Sequence, residues 1–226
     1  MLRQALITKN LIGGLAFWFA AIPSLSLPRI GFGIKGAPVF SSHWSPKDDT
    51  YGAEIRTHWR TCSAFGVYAN IGLGGWFSLQ PEVHFIHKGA RHIIGIPGFL
   101  LGDIEAVYAT DYLEVPVFFK TTPFSWKRLH PFITGGMYYS FLRRTEYRMT
   151  IPTLGTLTSK IETMKHTDAG FATGYGLAMD LDALELSVEY RYSMGFVDLE
   201  FPTGPGFPTV ELRNMTHAVF LGIGLR

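Results

Sequence analysis

Eight stretches of the chain alternate apolar residues with polar or small ones, position by position. Such a period of two marks a strand whose two faces meet different surroundings. The spacing predicts strands at about 30–40, 63–73, 76–87, 111–120, 130–142, 168–180, 184–193 and 215–226. The clearest is 76–87, where Phe77, Leu79, Val83 and Phe85 alternate with Ser78, Gln80, Glu82 and His84. In 184–193, Leu186, Val188, Tyr190 and Tyr192 share one face, and Glu185, Ser187, Glu189 and Arg191 the other. Each segment is about ten residues, the length a tilted strand needs to cross a bilayer. The joins are unequal in a regular way: tight near 73–76, 121–130 and 181–183, long at 41–62, 88–110, 143–167 and 194–215. This rhythm predicts an all-β fold, an eight-stranded antiparallel up-and-down transmembrane β-barrel with short inner turns and long outer loops. Pairing the last strand with the first removes both edges, whose bare backbone groups lipid cannot satisfy. Pro81 and Pro116 fall inside predicted strands and lack a ladder donor, so bulges are expected there.

The start of the chain sharpens the location. Arg3 and Lys9 precede an apolar run, Leu11–Ile22, and Ser24-Leu25-Ser26 offers small residues at a cleavage site. The expected organisation is a signal peptide at 1–26 and a barrel domain at 27–226, exported to the outer membrane of a Gram-negative bacterium. Twelve residues of helix span roughly 18 Å, too little for a hydrocarbon core of about 30 Å. Charged residues are only 17% of the chain and aromatics 15%, which suits a surface in contact with lipid. A net charge of +2 with no basic run gives no reason to expect nucleic acid as a partner. Cys62 is the single cysteine, so no intrachain disulfide forms.

Several stretches resemble the PorT-like family of outer-membrane barrels common in Bacteroidetes. They are Gly33-Ile34-Lys35-Gly36, Phe77-Ser78-Leu79-Gln80-Pro81-Glu82, Lys88-Gly89-Ala90 and Tyr112-Leu113-Glu114-Val115-Pro116. Pro131-Phe132-Ile133-Thr134-Gly135-Gly136 and Leu186-Ser187-Val188-Glu189-Tyr190-Arg191-Tyr192-Ser193 continue the likeness, which runs in order over about 30–226. The resemblance implies an eight-stranded barrel similar to the OmpA membrane domain. It implies no activity, since most members have none assigned, although the founding member serves protein secretion and gliding.

The predicted inward face collects Lys35, Glu82, Glu114, Lys120, Glu189 and Arg191. All but Lys120, which sits lower, should meet at one depth and pair as a salt-bridged plug, because side chains just fill a narrow eight-stranded barrel. No catalytic residues, metal site or cofactor are expected. His84 and His87 lie on opposite faces of a strand and cannot chelate one ion, so His84, His87 and His92 read as residues of the outer rim. Trp76, Trp126, Tyr138, Tyr139, Tyr190 and Tyr192 fit an interfacial aromatic girdle. The connection at 88–110 is unusually apolar: Ile93, Ile94, Ile96, Phe99, Leu100 and Leu101 either extend the strands as a hairpin, cover the mouth or dock a partner. The third connection, through Tyr147, Met149, Ile151 and Leu157, should project as a hairpin. The functional expectation is a monomeric, non-enzymatic barrel in outer-membrane lipid whose loops mediate interaction or envelope structure. The alternatives are a secretion or gliding component with an obligate envelope partner, and a lipid-modifying enzyme or narrow channel.

Overall fold

A computed structural model describes residues 29–45, 54–95, 102–160, 165–199 and 211–225. The expected signal peptide lies outside the described residues, as do Ile96, Phe99, Leu100 and Leu101. The described residues form ten strands: β1 (Ile30–Trp44), β2 (Glu54–His58), β3 (Arg60–Gly74), β4 (Phe77–Gly95), β5 (Ile104–Thr121), β6 (Leu129–Ile151), β7 (Gly155–Lys160), β8 (Thr167–Leu181), β9 (Leu184–Gly195) and β10 (Arg213–Leu225). Eight of them close a ring in the order β1-β3-β4-β5-β6-β8-β9-β10, and β10 pairs with β1 through Ile34↔Ile223 and Phe40↔His217. The remaining two are additions at the outer end: β2 pairs only with the far end of β4, and β7 only with that of β6.

Alternation sets the faces as the sequence pattern predicts, but with the polarity of a membrane protein. Phe119 is 65% exposed on the outside while its neighbour Lys120 is 6% exposed in the lumen. In water that inversion would be ruinous; against lipid it is the stable arrangement. Outward apolar residues run in a belt bounded on the outer side by Phe40, Phe65, Phe85, Leu113 and Phe141.

The expected bulges at Pro81 and Pro116 are absent. The β3–β4 register holds from Tyr68↔Glu82 to Ile71↔Leu79, and the β4–β5 register from Pro81↔Val117 to His84↔Glu114. Both strands run on through their prolines, and Pro116 is fully buried on the inward side. The irregularities lie elsewhere, at Gly72/Gly74 in β3 and at Asp111/Tyr112 opposite β6.

Strand length is the larger departure from expectation. β4, β5 and β6 span 19, 18 and 23 residues, whereas β9 and β10 span 12 and 13. The connection expected at 88–110 is therefore mostly ladder, paired as far as Ile94↔Ile104, and it realises the hairpin alternative. The third connection also forms a hairpin, with Met149↔Leu157 and Ile151↔Gly155 in register. Above the belt, β2, β4, β5, β6 and β7 thus make a wall on one side of the mouth. At the foot of the wall β4 runs through Gly89, whose φ of 134° suits glycine and whose amide donates to Ser41 Oγ (2.9 Å).

Candidate functional site

The lumen holds charge in three tiers. The middle tier joins three strands: Lys35 of β1, Glu82 of β4, and Glu189 and Arg191 of β9. Lys35 Nζ lies 2.6 Å from Glu82 Oε1 and 3.1 Å from Glu189 Oε2. The Arg191 guanidinium donates to Glu82 Oε2 at 2.8 Å and to Glu189 Oε1 at 2.9 Å. Gln80 Nε2 donates to Glu82, and Thr134 Oγ1 to Glu189. Phe118 and Phe220 flank the guanidinium at 4.1 and 4.7 Å. Two cations thus face two carboxylates, all buried, and the aromatic rings fill the space around them. Such a network is stable only when complete, since removing one member strands a buried charge.

The upper tier is one that the sequence pattern missed. Lys88 Nζ sits 2.5 Å from Glu114 Oε2 and 3.7 Å from Asp168 Oδ2. Ser140 donates to Glu114, while Asn214 and Tyr138 donate to Asp168. Glu114 therefore does not join the other charges at one depth. Lys88 was hidden because its position fell in an expected loop, and Tyr138, expected in the girdle, is 3% exposed in the lumen. Glu114 and Asp168 share one lysine, so this tier has one more carboxylate than cations.

The lower tier is looser. Lys120 Nζ lies 3.8 Å from Glu185 Oε1 and 4.3 Å from the centre of the Phe132 ring, with His130 and Asp180 paired nearby at 2.5 Å.

The three histidines of interest separate. His84 is not at the rim but fully buried, its Nε2 2.9 Å from Glu82 Oε2. His87 faces outward at the rim and pairs with Asp111 at 2.6 Å. His92 lies inside the wall above the belt, where it stacks on His43 with ring centres 5.3 Å apart. Burial holds the His92 imidazole down at about 4, and burial together with His92 holds His43 well below its ordinary value. Sequence reasoning missed His43, because it follows the predicted end of its strand. Among the described residues no group of three His, Cys, Asp or Glu side chains could hold a metal ion. Ile93 and Ile94 are half-buried residues of β4 in the wall.

The profile of a family described as outer membrane protein beta-barrel domain matches residues 26–200. No curated protein matches the chain. Among solved structures, the chain is similar to the outer membrane protein OprG of Pseudomonas aeruginosa, with 11% identity and a TM-score of 0.51 over 88% of this chain and 97% of that one. Neisserial surface protein A gives 10% identity and a TM-score of 0.45, over 86% of this chain and 96% of that one. The outer membrane protease OmpT of Escherichia coli gives 9% and 0.45, over 87% and 96%. At such identities the likeness to OprG concerns the fold.

Proposed function

Because the chain belongs to the outer membrane protein beta-barrel domain family and sits in the outer membrane, we propose that it is a non-enzymatic, non-conducting barrel acting through its outer face. One observation carries this reading: Lys35, Glu82, Glu189 and Arg191 close the lumen with a neutral, fully buried ion network. A carboxylate engaged on all sides by cations has no lone pair to spare for substrate, and a dry ionic layer offers ions no path. Reconstitution into planar bilayers tests it. Only background current is expected, and a steady open pore overturns the reading.

The tall wall favours a second, finer reading as a partner-bound component of envelope machinery. The resemblance to PorT-like barrels supports it, and one matching stretch, Lys88-Gly89-Ala90, lies within β4 at the foot of the wall. Photo-crosslinkers at Ile94 and Leu157 in intact cells should then capture one abundant protein. A crosslinker on the short side, at Phe196, should not.

A further inference from the structure

Beneath the middle tier the barrel is not filled. A cavity of about 770 Å³ opens at the end with the tight turns, the periplasmic side, and small residues such as Gly72, Ser78, Ala178 and Gly224 leave the space. Its size falls within the range of small-molecule sites.

Two polar groups border this space with their hydrogen-bonding capacity unspent. Tyr68, 7% exposed, has a hydroxyl with no hydrogen-bond partner among the described residues. That hydroxyl stands over Gly33 and Gly224, where any Cβ would collide with it. Lys120, 6% exposed, has its nearest carboxylate oxygen at 3.8 Å, beyond the 2.7–2.9 Å typical of a charge-assisted hydrogen bond. Unmade hydrogen bonds at groups this buried are costly, and a ligand that supplies acceptors recovers them. Phe132 beneath the ammonium, and Trp76 and Phe124 at the rim, give the walls an aromatic surface.

We propose that this vestibule is a binding site for a small organic carboxylate with a flat apolar body, entering from the periplasm. The carboxylate accepts from Lys120 Nζ and the Tyr68 hydroxyl, and the body lies along Phe132 towards the aromatic rim. The ion network above forms the roof, so the site binds without passing its ligand outward.

The test uses the folded full-length barrel in lipid nanodiscs, with 3-phenylpropionate as probe, its neutral amide as control, and titration calorimetry as readout. Saturable binding of the acid and none of the amide is expected. Losing a charge-assisted hydrogen bond should weaken binding roughly ten- to a hundredfold in Lys120→Met, and losing a neutral one about three- to tenfold in Tyr68→Phe. Lys120→Arg, which keeps the charge, should retain most of the affinity. Heat-modifiable gel mobility identifies variants that have folded, and only those are compared. No saturable binding to the wild type, equal binding of acid and amide, or undiminished binding by folded Lys120→Met overturns the proposal.

Discussion

The same three strands, β4, β5 and β6, obey opposite rules below and above the level of Phe85, Leu113 and Phe141. Below it the outward positions are apolar and the inward ones are Glu82, Glu114 and Lys120. Above it the outward positions carry ion pairs, Arg91–Glu105 on β4 and β5, joined by Arg56–Asp103 beside them. The inward positions there are aromatic: Tyr108 packs on Tyr147 with centres 4.8 Å apart and edge-on to His92 at 5.6 Å. Leu199, fully buried, closes over Tyr108, Leu142 and Leu212. The ladder is continuous across the change, so backbone pairing does not decide which face is which. The solvent does. The belt is built for lipid outside and ions inside, and the wall is built as a water-soluble sheet is.

Four measurements would break or sharpen that contrast. The largest effect belongs to the belt interior. Glu82→Gln leaves Lys35 and Arg191 to share Glu189, one buried positive charge in excess, and should cost about 3–5 kcal/mol in equilibrium urea unfolding. A loss under 1 kcal/mol would mean that the network is wet and the lumen open.

The next compares one substitution on the outward face at two heights. Val117→Arg in the belt should cost about 2–4 kcal/mol, against about 0–1 kcal/mol for Thr150→Arg on the wall, which stands opposite Glu105 in the β5–β6 register. Equal costs would place the bilayer boundary wrongly.

The third concerns pH in the wall alone. His92 is held at about 4 in the folded state against 6.5 when unfolded, so the unfolded wall binds a proton that the folded wall refuses. Wall stability is then complete above pH 6.5, falls as pH drops, and levels off below about 4, with a loss on the order of 2–3 kcal/mol. Hydrogen exchange at 91–95 and 104–108 should accelerate in that window, and less steeply in His92→Phe, where buried His43 alone remains to take up a proton. The smallest effect is that of the exposed pairs: Glu105→Gln should change unfolding by under about 1 kcal/mol, and less in high salt.

Much of this was legible in the chain because alternation is local. Phe77 through Phe85 against Ser78 through His84 declares two faces whatever the rest of the protein does. Depth around the ring is not local. It depends on stagger between neighbours, which is why Glu114 was expected beside Glu82 and instead meets Lys88. The wall was illegible for a different reason. Past Phe85 both faces carry residues a loop would also carry, His87 and Arg91 outward and Lys88 and Ala90 inward, so the contrast that marks a strand fades although the strand continues. The prolines misled in the other direction: a missing donor costs a rung, and here the register survives without it.

The middle network has a consequence for assembly. Its members stand 47 and 154 residues apart along the chain. β1 and β4 are already joined through β3, but Glu189 and Arg191 of β9 come beside Lys35 only when β1 meets β10. Until that seam forms, Lys35 and Glu82 lack their β9 partners, and no partial set of strands can shed the water for free. The seam and the network should therefore appear in one late, cooperative step. Lys35, on the first strand of the ring, then acts as the tongue of a latch that catches only when the last strand arrives.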